Sequence, residues 1–537
     1  MNKSLQYVII MIFLASAFPS GAWNVGTEPT GKSAVIEEFT GIHCPNCPDG
    51  HLRAAELLRA HHGEVFTIAI HAGPFATPRV NEPNFITSEG TDIHDHFQVN
   101  SYPCGVVSRR DVGNGIVQGR GDWGPSARTI TREESPVNLY GVASYDADTR
   151  MLRVKVEGYY TSGMADPRLT VMLLQNNILG PQSGGMLGVE YPHRHILRDI
   201  LTNNAFGDGI SEKNAGEYFT REISYILPEE IDGIPTVACD MALIAFVSEG
   251  EGEIVKAFEF FPEADLSSDQ RKIVVPASAL IPVGSTYALD YLELWLDNYS
   301  GEDAVSAKLD FKLNGRDHEL IWNGSIPAHG TGLARFPLDG IMKDCYDNDT
   351  NEYSILVTEI NGRPLALEML PVKGQFRNLT EYPAEMKIKI KTDLDAADNT
   401  YRIIDESGDT VVEFGPYADG VNMEYDENVS LEPGKVYGFE VSDAWGDGVY
   451  HPRGSVKFYR ADDGRIAGQL MEIADYGMRL FFRTEDTSGI GAIFSEKAID
   501  MWFDMTGVRV SHPVPGDIYI RRTINPDGTI ETSKTIF

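Results

Sequence analysis

The chain has 537 residues with 52 Gly, 29 Pro and 10% aromatic residues, which suits three or four mostly β domains and a sizeable core. Its formal charge of −34, from 45 Lys and Arg against 79 Asp and Glu, argues against nucleic acid and anionic membrane as partners because both would be repelled. Five cysteines do not make a disulfide scaffold, and there is no His-Glu-x-x-His, Gly-x-Ser-x-Gly, phosphate-binding glycine loop or dinucleotide fingerprint on which a hydrolase or kinase reading could rest.

Residues 1–22 read as a secretory signal, with Lys3, an apolar run over 7–18 and the small residues Ser20-Gly21-Ala22 at the cleavage point. No cysteine follows the run there, which argues against a lipoprotein anchor. The expected localisation is exported, at the outer membrane and cell surface or in the periplasm, with peripheral membrane association.

Residues 23–135 hold the densest chemistry. A strand over 33–39 runs into Cys44-Pro45-Asn46-Cys47, and Leu52, Ala54, Ala55, Leu57 and Leu58 then recur at helical spacing up to Gly63. A helix starting between the cysteines brings both sulfurs to its first turn, where unpaired N–H groups and the dipole favour a Cys44 thiolate facing solvent, with Cys47 packed inside. Pro45 suits the first helical position, where a missing N–H costs nothing. Residues 65–71 form a second buried strand, and Tyr102-Pro103 precedes a short apolar strand that includes Cys104. Alternation sends Glu37 and Glu38 to opposite faces, so one of them points inward. Zinc is the competing use of a Cys-x-x-Cys, but no second pair follows at suitable spacing. Seven of the 13 histidines fall here, His51 and His71 among them, and read as solvated or locally bonded.

This β-α-β order, with its Cys-x-x-Cys and later Tyr-Pro, resembles the thioredoxin fold over about a hundred residues. The resemblance places Pro103 where that fold carries its cis-proline, and Glu38, six residues before Cys44, where it carries a buried acid.

Residues 136–265 alternate as strands and turns and suggest a β-sandwich. Within it Gln175-Asn176-Asn177-Ile178-Leu179-Gly180-Pro181-Gln182 and His193-Arg194-His195 stand out. With Glu37-Glu38-Phe39-Thr40-Gly41 and the Cys-x-x-Cys they resemble the outer membrane protein 28 family of Bacteroidetes, which joins a thioredoxin-like domain to a β domain in the cell envelope. His193 and His195 alternate as a pair of ligands would, and the preferred reading is polar residues at a domain interface.

Residues 271–388 read as an immunoglobulin- or fibronectin-like domain, and 389–485 as a further β module. Its Asp443-Ala444-Trp445-Gly446-Asp447-Gly448 loop reads either as a polar turn or as a Ca²⁺ loop with Asp443 and Asp447 as ligands, the only cofactor suggested. Residues 495–537 resemble a short C-terminal sorting-type β module. The expected architecture is therefore multidomain, an α/β thioredoxin-like domain followed by mainly β domains.

Two functions compete. In one, Cys44 attacks, Cys47 resolves, Glu38 moves the proton and Pro103 helps present the partner's backbone, so that the chain exchanges disulfides with protein thiols. In the other, Cys44–Cys47 is a static staple in a non-enzymatic protein that binds surface proteins or glycans. Oligomeric state is not legible in the sequence.

Overall fold

A computed structural model describes residues 23–185, 191–263, 273–274, 291–298, 301–338, 341, 351–364, 372–376, 380–446, 448–449, 454–470, 473, 477–485, 499–503, 509–510, 518–524 and 530–536. The expected signal at 1–22, Asp447 and Cys345 lie outside the described residues, as does the side chain of Cys239.

The N-terminal elements are β1 (Ala34–Thr40), α1 (Cys47–Ala60), β2 (Val65–His71), α2 (Ser88–His96), β3 (Cys104–Val107), β4 (Gln118–Gly119) and α3 (Trp123–Thr131). There follow β5 (Val137–Asp146), β6 (Met151–Tyr160), β7 (Pro167–Gln175), β8 (Ile178–Gly180), β9 (Tyr191–His193), β10 (Ile196–Ile200), β11 (Asp208–Gly209) and β12 (Tyr218–Ile226). The short β13 (Glu230–Ile231) and β14 (Ile234–Pro235) precede β15 (Met241–Glu249), β16 (Ile254–Phe260) and β17 (Pro262–Glu263).

β1 and β2 run parallel and are buried along their whole length, which is why both read as apolar runs rather than half-polar alternations. The even residues of β1, Ala34 and Ile36, join Ala54 and Leu57 of α1 and Trp123 of α3 in one core cluster. The odd residues Val35 and Phe39 join Ile68, Ile70, Leu174 and Phe246 in another. Both glutamates of β1 are consequently buried, Glu37 at 0% and Glu38 at 3% exposure, whereas alternation alone sent only one of them inward. Glu37 lies on the odd face, where Arg109 donates to it from Nε at 2.8 Å and Nη2 at 2.6 Å, with Phe206 and Phe246 flanking the guanidinium. Two charge-assisted bonds offset the loss of water around that pair.

The first two expected segments share a sheet. β10 pairs with β2 in parallel and with β7 antiparallel, giving the order β16-β15-β7-β10-β2-β1-β3-β4. A second sheet, β12-β6-β5-β17, faces the β7–β15 half across a core that includes Val154, Val156, Val171, Leu173 and Phe219. A sandwich is present, but one of its layers continues into the N-terminal α/β part.

Strands over 273–376 form three- and five-stranded sheets around Leu294, Leu309, Phe311 and Phe336. Strands over 380–484 form five- and four-stranded sheets around Tyr401, Phe439 and Phe458. The strands described between 499 and 536 form a four-stranded sheet. In the 443–448 loop Asp443 Oδ1 accepts the N–H groups of Trp445 and Gly446, both at 2.7 Å. That turn presents Trp445, whose ring stacks on His61 at the end of α1 with centroids 3.7 Å apart.

Candidate thiol–disulfide site

Cys44 and Cys47 are joined by a disulfide, with Cα atoms 5.4 Å apart. α1 begins at Cys47 itself, and its first turn holds Pro48 rather than the expected Pro45, which precedes the capping residue Asn46. Pro48 serves the same physical end, because the first-turn N–H groups have no intrahelical acceptor. The Tyr102–Pro103 peptide is cis.

The cysteines do not differ in exposure as expected: Cys44 is 1% and Cys47 0% exposed. What covers Cys44 is the loop after β8. The Gln182 side-chain amide donates to the Cys44 carbonyl at 2.9 Å and the Gly41 carbonyl at 3.2 Å, and the Ser183 N–H donates to Ile42 O at 2.8 Å. Gly184 has φ +76°, and a Cβ there would stand 2.0 Å from Pro45 O, so only glycine lets the loop lie this close. This loop, absent from the sequence-level candidates, forms a strap over the cysteine turn.

Glu38 lies against α1. A Cβ on Gly50 would meet Glu38 Oε1 at 2.7 Å and Pro103 Cβ at 2.8 Å, so the first turn of α1 packs closely on both the acid and the cis-proline. Glu38 Oε1 has no hydrogen-bond partner, and burial holds the carboxyl well above the ordinary carboxylate range. His51, one residue after Gly50, has Nε2 2.8 Å from Thr40 Oγ1 and 3.8 Å from Glu38 Oε1, while its Nδ1 is 2.9 Å from the Tyr191 hydroxyl.

The histidines near this site are not solvated. His71 and His193 are each 2% exposed, and the His193 ring lies 5.5 Å from that of His71 and 6.4 Å from that of His51. Burial, with the charge of Arg194, lowers His51 to about 4, and burial first of all lowers His193 to about 3. His71 is likewise held well below its usual value. All three are neutral imidazoles at neutral pH. No group of three or more His, Cys, Asp or Glu among the described residues is arranged to hold a metal ion. Cys104 is a separate buried thiol, pushed up to about 11 by burial, on the strand face carrying Phe39.

The structure thus brings Cys44, Cys47, Glu38 and Pro103 together, adding Gln182, Tyr191 and His193 from about 140 residues further along. Asp443 lies apart, in the fourth module, where it holds its own turn.

Residues 91–258 match the model of the family described as outer membrane protein Omp28, a match that begins after the cysteine pair and includes the strap. Among solved structures, HBP35 of Porphyromonas gingivalis is 16% identical over 57% of this chain and 98% of that one, with a TM-score of 0.34. A domain of the outer membrane lipoprotein Omp28 from the same organism is 20% identical over 24% of this chain and 89% of that one, with a TM-score of 0.17. No curated protein matches the chain. No helix among the described residues is long and apolar enough to cross a membrane, which leaves β-barrels unaddressed. Over residues 91–258 the chain is thus similar to the family described as outer membrane protein Omp28.

Proposed function

We propose that this envelope protein exchanges disulfides with protein thiols through Cys44 and Cys47. The observation that carries this reading is Glu38: a carboxyl with an unpartnered oxygen, buried against the first turn of α1, which also packs on the cis-proline. Burying such a group costs stability, and a static staple has no use for it. A protonated acid against the helical turn that begins at Cys47 has a use in exchange. A partner thiolate attacks Cys44 Sγ, the Cys44–Cys47 bond breaks, and the electron pair goes to Cys47 Sγ. Glu38 then gives its proton to the Cys47 thiolate. In the reverse direction Glu38 takes the proton from Cys47 as that thiol attacks the mixed disulfide. Attack on Cys44 requires the Gln182 strap to move aside.

The test is Cys47→Ser in the full chain expressed in its native envelope. The remaining Cys44 thiol should accumulate covalent partners that dissociate on reduction, and the Cys44→Ser, Cys47→Ser double variant should show none. The burial of both cysteines beneath the strap favours a second reading, a structural disulfide in a binding or architectural protein. That reading predicts no trapped partner in either variant.

A further inference from the structure

The exchange proposed above, on which this inference rests, leaves Glu38 charged after each reduction. Once the strap closes again over the cysteine side, a buried carboxylate cannot recover its proton from the front. A lateral path is present. His51 Nε2 lies 3.8 Å from Glu38 Oε1, its Nδ1 lies 2.9 Å from the Tyr191 hydroxyl, and its side chain is 17% exposed while Glu38 is 3% exposed. Thr40 Oγ1, 2.8 Å from Nε2, tethers the ring on the side of the acid.

We propose that His51 and Tyr191 form the proton route between Glu38 and solvent, so that His51 is a positioning residue for the thiol chemistry and the Omp28-type segment completes the site. When Glu38 is left as a carboxylate, its charge draws in the His51 Nε2–H and takes that proton. Nδ1 takes the hydroxyl proton of Tyr191, and Tyr191 is refilled from water. One proton enters, no charge remains, and His51 is left as the Nδ1–H tautomer. Oxidation of the dithiol runs the chain backwards: Glu38 returns its proton to Nε2, Nδ1–H passes to Tyr191, and the starting tautomer is restored. A neutral imidazole with each nitrogen facing a different group is what such a two-way relay needs. The titratable and charged groups facing His51 are Glu38, Tyr191, His193, His71 and Arg194.

The experiment follows reduction of Cys44–Cys47 by dithiothreitol in the full chain, in H₂O and D₂O from pH 6 to 8, for the native chain, Glu38→Gln, His51→Gln and Tyr191→Phe. General acid–base steps contribute about 10²- to 10⁴-fold, and a relay one bond removed from the acid should show about a tenfold slowing in His51→Gln and Tyr191→Phe. Both should lose the D₂O sensitivity of the native reaction, and neither should slow Glu38→Gln further when combined with it. Tyr191→Phe keeps the ring in place, so it answers the question even if His51→Gln folds poorly. If both variants react within twofold of the native rate with its isotope effect intact while Glu38→Gln is slow, the relay is overturned and the exchange reading stands. If Glu38→Gln also reacts at the native rate, both fall.

Discussion

Removing the Gln182 side chain should expose the cysteine turn without unfolding the domain. The Gln182 amide holds two carbonyls, Cys44 O at 2.9 Å and Gly41 O at 3.2 Å, from a residue 3% exposed. Each such bond is worth about 1 kcal/mol net, so Gln182→Ala should raise the free energy of the closed strap by about 2 kcal/mol. Loss of the Gln182 Oε1 adds no cost, because that atom has no partner. If the disulfide is attacked from a locally opened state, about 2 kcal/mol multiplies the open population, and hence the rate, about 30-fold. The Ser183 N–H to Ile42 O bond at 2.8 Å is untouched, so the loop keeps its anchor. The assay is reduction by a dilute phosphine in the native full chain, quenched by alkylation and read as mass added to the peptide carrying Cys44 and Cys47. A rate within twofold of the native protein would refute the view that this strap limits access.

Gly184→Ala should act in the same direction and at least as strongly, since its Cβ would stand 2.0 Å from Pro45 O at φ +76°; the same alkylation assay reads it. Glu37→Gln should destabilise the first sheet by about 3–5 kcal/mol, because it leaves the guanidinium of Arg109 buried without its counter-charge; urea unfolding followed by hydrogen exchange in β1 measures this. Acid should loosen the same region. His51 and His193 fall from an ordinary 6.5 to about 4 and about 3, so the unfolded chain binds their protons first and stability is lost as pH falls below 6.5. At pH 5 the two together account for about 4 kcal/mol at most, read as faster hydrogen exchange in α1 and β9. Glu38 has the opposite sign: its folded carboxyl keeps a proton the unfolded chain releases, so stability is lost as pH rises above the ordinary carboxylate range. Glu38→Gln should therefore be more stable than the native protein at pH 7.5 and lose that advantage near pH 4, by thermal melts at the two values.

The features that lie close together in the chain were legible in it. The strand before the cysteines, the helix after them and the strand at 65–71 carry their periodicity within a few residues, and the Tyr102-Pro103 step is a local motif. Helix onset missed by a few residues because Pro45 and Pro48 satisfy the same first-turn rule. What the sequence hid depends on distant partners. That Glu37 also turns inward follows from Arg109, 72 residues on, and that His51 is enclosed follows from Tyr191, 140 residues on. Alternation marks the strands of 136–265 but not which strand each pairs with, so the parallel junction of β10 with β2 was invisible. The strap had one signal, the Gln175–Gln182 segment, which stands out in the sequence without showing what it covers. In the 443–448 loop the carboxylate drew notice while the residue that makes the contact with α1 is Trp445, presented by the Asp443 turn.

The most direct test of the exchange reading is the reduction potential of Cys44–Cys47, measured in the full chain by equilibration against defined thiol–disulfide buffers. An exchanging pair should have a value among those of catalytic pairs, about −120 to −270 mV, shifting with pH as the sulfurs take up protons on reduction. A potential below about −300 mV would mark the bond as structural and contradict the exchange reading.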